Sequence, residues 1–189
     1  WDFALNLLDG CRNKPQRAAL HVNNNGNLDG ELITWSFADL EHRSVQLTFA
    51  NVDLPQLLDR VVERITPAIS ERQGRVTSEW ALDATFADVD ADRIEQVFEN
   101  LLENSLRHAT SDEIAIGVRS RRVGPDVEIV FSDNGPGIPY VDQAHIFEPF
   151  YRAPAAIAAQ IQGAGLGLSL VQRIVEAHGG TVEVKSAEG

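Results

Sequence analysis

The sequence has few of the residues that would support a disulfide framework or a membrane span. Its 189 residues include one cysteine, Cys11, and no methionine. One cysteine cannot form an internal disulfide, which is consistent with a reducing compartment. The lack of methionine indicates an incomplete translated product, and we expect truncation at both ends. The chain contains neither a long apolar run nor a signal-peptide pattern, so we expect no membrane segment in it.

Positive charge is also scarce. Lysine and arginine total 16 against 28 aspartate and glutamate residues, for a formal net charge of −12. This excess of negative charge argues against nucleic acid or an anionic membrane surface as a partner. With 43% hydrophobic residues the chain can bury one core, and we expect a soluble, cytoplasmic domain.

The segment from Asp133 to Pro139, with the sequence DNGPGIP, is the most informative in the chain. It follows an alternating apolar pattern that predicts a half-buried strand: Val127, Ile129 and Phe131. Asp133 therefore lies where this strand ends, and Gly135 and Gly137 leave room for a flat ring. A buried carboxylate needs hydrogen-bond donors, and the exocyclic amine of adenine is a suitable one. A turn without a ligand is the alternative for this segment by itself.

The segment from Asp90 to His108 has helical periodicity, with Asp90 as the predicted N-cap. Its apolar stripe consists of Ile94, Val97, Phe98, Leu101 and Leu102. A separate polar stripe consists of Asn100, Asn104, Arg107 and His108. Asparagine is a poor helix former, and two asparagines one turn apart can offer amide oxygens to a magnesium ion. A solvated helix face is the alternative.

A third motif, Gly163 to Leu170, places glycines directly before a predicted helix. Backbone N–H groups at a helix start can bind phosphate. The glycine spacing matches neither the dinucleotide fingerprint nor the Walker loop. Helix packing or flexibility would explain such a run equally well on its own.

Together, and in this order, the motifs resemble the catalytic ATP-binding domain of sensor histidine kinases, in the wider family of gyrase B, Hsp90, MutL and the anti-sigma-factor kinases. The matching motifs are Asn100 to Asn104, Asp133 to Gly137, Ile146 to Arg152, and Gly163 to Gly167, followed by His178-Gly179-Gly180. The resemblance implies an α/β fold, a two-layer α/β sandwich of the Bergerat type, and ATP and Mg²⁺ as cofactors.

The resemblance also implies roles for individual residues. Asp133 would accept the adenine amino group, and Asn104 would ligate Mg²⁺ with Asn100 close by. Arg107 would contact phosphate, and His108 replaces the more usual tyrosine beside the base. The remaining expected nucleotide contacts are Gly135, Gly137, Ile138, Phe147, Gly163, Gly165, Leu166 and Gly167. Residues 151–163 would form a lid, with Phe147 and Phe150 at its base.

Asn100 favours a kinase over an ATPase. In gyrase-like relatives a glutamate at this position activates the attacking water, and an amide cannot act as a general base. We therefore expect slow hydrolysis and phosphoryl transfer to a protein side chain, with Asn100 and Arg107 as the catalytic positions. The alternatives are an anti-sigma-type serine kinase, which the phenylalanine-rich motif disfavours, and a non-catalytic nucleotide-binding module.

None of the five histidines lies in the H-[DE]-x-x-[TN]-P context of a phosphoacceptor. The acceptor is therefore expected on a dimerisation hairpin elsewhere in the parent protein, with a response regulator downstream, and this chain should not phosphorylate itself. The family's closing strand, with its G-x-G-T-x-F pattern, is also not found after Ser186.

The expected domain division has three parts. Residues 1–36 form an N-terminal appendage, in which Trp1 to Leu8 could be helical and residues 18–37 could form a hairpin. Residues 37–53 resemble the end of a dimerisation hairpin. Residues 54–189 form the catalytic domain, with a first helix from Leu54, a strand near residues 75–80, two antiparallel strands around residues 114–131, and a strand at Val182 and Val184.

Overall fold

The structure is a computed structural model and describes residues 2–8, 47–109, 113–161 and 163–186. The predicted hairpin at residues 18–37, most of the 37–53 segment, and the residues Cys11, His21 and His42 lie outside the described residues.

The described residues form the following elements in chain order. The strands are β1 (Asp2–Leu8), β2 (Ala50–Asp53), β3 (Arg75–Glu79), β4 (Phe86–Val89), β5 (Ala115–Val123), β6 (Asp126–Asp133) and β7 (Thr181–Lys185). The helices are α1 (Leu54–Glu71), α2 (Ala91–His108), α3 (Tyr140–Gln143), α4 (Pro154–Ala158) and α5 (Gly167–Ala177), with a 3-10 turn at Leu82–Ala84. The predicted first helix, asparagine-bearing helix and C-terminal strand are confirmed, whereas β2 and β4 were not predicted.

Five strands form one sheet in the order β3-β5-β6-β1-β7, and β2 pairs with β4 in a separate two-stranded sheet. β5 and β6 are antiparallel, as their alternating patterns predicted. β3 pairs with β5 in parallel. Apolar residues of the sheet and of α1, α2 and α5 form one buried core, and Phe98 of α2 meets Phe131 of β6 with ring centroids 5.4 Å apart. The predicted two-layer α/β sandwich is therefore confirmed.

Helix α2 begins where the sequence predicted. The Asp90 side chain accepts a hydrogen bond from the Arg93 N–H at 3.1 Å, which satisfies one of the unpaired N–H groups of the first turn. The five residues of its apolar stripe are fully buried. Because Asn100 and Asn104 are also buried, α2 is enclosed on more than its apolar face.

The strand β1 is the main departure from the sequence expectation. The expectation that Trp1 to Leu8 could be helical is wrong, because Asp2–Leu8 is a strand. It lies between β6 and β7 and is antiparallel to both, with Leu5 opposite Ile129 on one side and Val182 on the other. Helical periodicity over a few residues is a weak signal, and pairing with two neighbouring strands overrides it. The neighbour of β7 in the sheet is therefore a strand from the other end of the chain.

A proline at position 5 tests whether β1 belongs to the sheet interior. Leu5→Pro removes a backbone N–H from a strand that is paired on both sides, so the free energy of unfolding should fall by about 1–3 kcal/mol or more. Urea unfolding of Leu5→Pro is the measurement, and Leu5→Val, which keeps the N–H, is the control. Equal stability of the two variants would show that β1 contributes nothing to the sheet.

Candidate functional site

Asp133 lies at the end of β6, as predicted, and is 7% exposed. Its Oδ1 accepts a hydrogen bond from the Gly135 N–H at 2.8 Å, and its Oδ2 accepts one from the Ser105 hydroxyl at 2.9 Å. The two donors come from different elements, the loop after β6 and helix α2. This carboxylate is thus held in a buried position and still has acceptor capacity for a further donor.

The two asparagines of α2 lie one turn apart, and both are buried. The Asn100 Nδ2 donates to the Gln96 carbonyl at 2.7 Å, whereas the buried Asn100 Oδ1 has no hydrogen-bond partner among the described residues. A buried polar atom without a partner is costly, and in native proteins such atoms often face a ligand. Oxygen is the ligand atom that Mg²⁺ prefers, so this amide fits the expected ion.

The carboxylates next to Asn100 along the helix are engaged by arginines. Glu99 pairs with Arg64 of α1. Glu103 lies 3.7 Å from Arg107, measured between Oε2 and Nη2. Burial raises the pKa of both carboxyl groups, and the neighbouring arginine opposes the shift in each case.

His108 is the last residue of α2 and is 3% exposed. Burial lowers its pKa to about 4, and the positive charges of Arg107 and Arg152 add to this effect. The imidazole is therefore neutral at pH 7, and its Nε2 is buried without a hydrogen-bond partner among the described residues. A neutral ring at this position can contact a nucleobase without adding charge to the site.

The glycine turn after Asp133 is hydrogen-bonded to Ser186, the residue that follows β7. Gly137 has a φ of 89°, a conformation that glycine adopts without strain. The next residue, Ile138, is fully buried, and its N–H donates to the Ser186 hydroxyl at 2.7 Å. Gln143 donates to the carbonyls of both Ile138 and Ser186, at 2.9 and 3.1 Å.

The predicted lid contains the short helix α4 and is closed at its base by backbone contacts. Phe147 packs against the core, but the Phe150 side chain is 59% exposed. Phe150 acts through its backbone instead: its N–H donates to the Gly165 carbonyl at 2.8 Å, and its φ is 65°. Within the lid, Arg152 donates to the Ile161 carbonyl.

The second glycine motif leads into α5, as predicted. Gly163 and Gly165 have φ values of 134° and 69°, Leu166 is the N-cap residue and Gly167 is the first helical residue. The start of this helix has no side-chain cap, because the N-cap residue Leu166 has no side-chain acceptor. The nearby Ser169 hydroxyl donates to the Leu166 carbonyl. Uncapped N–H groups and the helix dipole favour an anion here.

Ser105 is the site residue that sequence reasoning missed. It follows Leu101 by one turn on the apolar stripe of α2, where a hydroxyl is unexpected, and it is 2% exposed. A polar residue on an apolar stripe signals a buried partner, and here that partner is Asp133.

Comparison with known proteins agrees with this geometry. Residues 89–189, more than half of the chain, match the family described as histidine kinase-, DNA gyrase B-, and HSP90-like ATPase. The chain belongs to this family. Its membership implies an ATP-binding domain of the kind found in sensor histidine kinases.

Curated relatives of this ATPase-family chain include sensor kinases from several bacteria. It is 38% identical over 144 residues to the alginate biosynthesis sensor protein KinB of Pseudomonas aeruginosa, which covers 76% of this chain and 23% of KinB. It is 34% identical over 150 residues to the sensor histidine kinase YclK of Bacillus subtilis, which covers 78% of this chain and 31% of YclK. The chain thus spans about a quarter to a third of the length of these relatives.

Solved structures show the same fold. The catalytic domain of histidine kinase ThkA aligns with a TM-score of 0.60 at 27% identity, covering 69% of this chain and 82% of that one. Full-length ShkA in complex with AMPPNP aligns with a TM-score of 0.62 at 27% identity, covering 75% of this chain and 28% of that one. No helix among the described residues of this ATPase-family chain is long and apolar enough to cross a membrane.

A methyl group at position 165 should disrupt the base of the lid. A Cβ on Gly165 would lie 2.7 Å from the Tyr151 carbonyl oxygen and 2.8 Å from the Phe150 carbonyl carbon. Gly165→Ala should therefore lower the free energy of unfolding by about 1–3 kcal/mol beyond the penalty of the positive φ alone. Gly124→Ala is the matched control, because Gly124 has a φ of 63° with nothing within 4 Å of the added Cβ. Thermal unfolding and limited proteolysis at residues 151–163 are the measurements, and equal effects of the two changes would contradict the prediction.

The buried His108 should make stability depend on pH. His108 has its ordinary pKa of 6.5 in the unfolded chain and a pKa of about 4 in the folded chain. Between these values the unfolded state binds a proton that the folded state does not, so the free energy of unfolding falls as pH falls. Between about pH 7.5 and about pH 5 the free energy of unfolding should fall by about 2 kcal/mol from this residue.

Urea unfolding of the unaltered chain and of His108→Phe at the two pH values tests this expectation. The variant should lose that part of the pH dependence, whereas the contribution of His178 is common to both proteins and cancels. His145→Phe is the control, since the His145 side chain is 49% exposed. An identical pH dependence in His108→Phe would show that His108 does not remain neutral in the folded chain.

Proposed function

We propose that this chain binds Mg·ATP and transfers the γ-phosphoryl group to a histidine on a dimerisation hairpin of the same parent protein, outside this sequence. A response regulator would then receive the phosphoryl group in two-component signal transduction. The observation that carries the proposal is the buried Asp133 carboxylate, held by two donors beside a turn of small residues. Such a carboxylate recognises the adenine amine through a charge-assisted hydrogen bond.

The phosphates would lie between α2 and the start of α5. Arg107 near the end of α2 supplies positive charge, and the uncapped N–H groups after Leu166 supply a favourable dipole. ShkA, which shares the fold at 27% identity, forms a complex with AMPPNP, which supports nucleotide binding by this domain. The lid at residues 151–163 would cover it.

Magnesium would be held through amide oxygen, phosphate and water. Asn104 would ligate the ion and Asn100 would lie next to it, which would give the buried Asn100 Oδ1 a partner. No group of three or more His, Cys, Asp or Glu residues suited to a metal occurs in the described part of the chain. A magnesium ion that keeps several waters and binds phosphate needs no such group. When bound, the ion neutralises charge on the phosphates.

Transfer rather than hydrolysis follows from Asn100. Its amide cannot take a proton from water, and its Nδ2 is committed to the Gln96 carbonyl. Glu99 and Glu103, the neighbouring carboxylates on α2, are engaged by Arg64 and Arg107. Phosphoryl transfer depends mainly on positioning, so the terminal phosphate would persist until an acceptor histidine is placed in line.

Calorimetry separates the adenine site from the magnesium site. Asp133→Asn exchanges an acceptor-only carboxylate for an amide and should weaken ATP binding by about 1.5–3 kcal/mol, with or without Mg²⁺. Asn104→Ala should remove only the magnesium-dependent part of the affinity and leave adenosine binding close to that of the unaltered chain. Unchanged ATP affinity in Asp133→Asn would mean that adenine binds elsewhere, and an unchanged effect of Mg²⁺ in Asn104→Ala would exclude Asn104 as a ligand.

Phosphotransfer tests the proposed reaction directly. Incubation with γ-labelled ATP should leave the isolated chain unlabelled, whereas adding a cognate dimerisation hairpin should produce acid-labile phosphohistidine on the hairpin. Asp133→Asn at the same ATP concentration should label the hairpin more slowly. Acid-labile label on His21 or His42 of the isolated chain would overturn the proposal of an external acceptor, and acid-stable label on a serine would favour a serine kinase.

A further inference from the structure

We propose that Ser105 is a positioning residue that orients the Asp133 carboxylate. Through this orientation Ser105 sets the preference of the site for adenine, which has an amine at C6, over bases that have a carbonyl oxygen at C6. The inference rests on the proposed function, because it concerns the same nucleotide site.

The contact between Ser105 and Asp133 is buried. Ser105 is 2% exposed and Asp133 is 7% exposed, so water does not compete strongly for either group. The Ser105 Oγ lies 2.9 Å from the Asp133 Oδ2 and 3.3 Å from the Leu101 carbonyl oxygen. A hydroxyl has a single proton, and it favours the nearer and charged acceptor. The Ser105 hydroxyl therefore donates its hydrogen bond mainly to the Asp133 carboxylate.

The carboxylate is held from two directions. Ser105 on α2 donates to one oxygen, and the Gly135 N–H in the loop after β6 donates to the other. Two donors on different oxygens fix the rotation of the carboxylate about its last bond. If the Ser105 donor is removed, Oδ2 loses the hydrogen bond that links the carboxylate to α2. The hydrogen bond to the ligand then loses part of its pre-organisation.

The position of Ser105 in the sequence supports this role over simple packing. It lies on the buried stripe of α2 one turn after Leu101, where an apolar side chain would bury more favourably than a hydroxyl. A helical serine can satisfy its proton on the carbonyl four residues earlier. Here that carbonyl is the more distant of the two acceptors, so the local bond does not explain the residue.

Base selectivity follows from the chemistry of the carboxylate. Adenine presents an amine donor at C6, whereas hypoxanthine and guanine present a carbonyl oxygen there. An oriented carboxylate accepts from the amine and repels the oxygen. A carboxylate that can rotate away gains less from the amine and repels the oxygen less, so the two kinds of base should become more alike in affinity.

The test compares ADP with inosine diphosphate by calorimetry in the absence of Mg²⁺, using the full chain. In Ser105→Ala, ADP affinity should fall about tenfold while inosine diphosphate affinity changes little or rises, so the ratio of the two affinities contracts about tenfold or more. Ser105→Thr, which restores the hydroxyl, should recover the ratio. Ser105→Cys keeps the side-chain volume with a weaker donor and should give an intermediate ratio.

Ser120→Ala is the matched control, because Ser120 is a buried serine on β5 whose hydroxyl accepts from the Ala81 N–H and lies in no proposed nucleotide contact. It should leave the ratio unchanged. An unchanged ratio in both folded Ser105→Ala and Ser105→Cys would overturn the inference and leave the proposed function intact. Failure of the unaltered chain to bind ADP would overturn the proposed function and this inference together.

Discussion

The hydrogen bonds around Asp90 fix the start of α2, the helix that carries both asparagines and Ser105. The two carboxylate oxygens of Asp90 accept from the Arg93 and Thr48 N–H groups, and its own N–H donates to the His178 Nε2. Successive residues of a helix are about 100° apart, so a rotation of α2 about its axis by one residue would turn Ser105 away from Asp133. The anchoring of this helix start therefore supports the contact between Ser105 and Asp133.

His178 connects this helix start to the end of α5. Its Nδ1 donates to the Ile174 carbonyl at 2.7 Å, which leaves Nε2 as the acceptor for the Asp90 N–H. Burial lowers the pKa of His178, which is consistent with a neutral ring that both donates and accepts. The HGG sequence thus ends α5 and also positions α2, so the helices that would contact the adenine and the phosphates are held in a fixed relation.

The base of the predicted lid is held by backbone contacts. The two ends of the lid meet where the Phe150 N–H donates to the Gly165 carbonyl, and the lack of a Cβ at Gly165 permits this approach. Phe150 has a positive φ, which is uncommon for a bulky side chain and is maintained only where surrounding contacts compensate for it. The candidate site therefore combines a carboxylate held by hydrogen bonds with a predicted lid that is preceded by a residue at positive φ.

Elements with strong local signals could be predicted. The N-cap and apolar stripe of α2, the alternation in β5 and β6, and the glycines before α5 depend on neighbouring residues and are visible in a linear sequence. The resemblance of the ordered motifs to histidine kinases is confirmed by the family match. The short strands β2 and β4 and the exposure of the Phe150 ring were not predicted, because four-residue patterns and ring exposure depend on the packing around them.

The sequence by itself determined which residues are candidates for the chemistry: a carboxylate at the end of a strand, two amides one turn apart, and glycines at a helix start. Only the tertiary structure decided how they are supported. It brings Ser105 to Asp133 across 28 positions and His178 to Asp90 across 88. It also places the N-terminal strand between β6 and β7. Contacts between residues far apart in the chain leave no local periodicity, so they become visible only when the sheet and the helices are assembled.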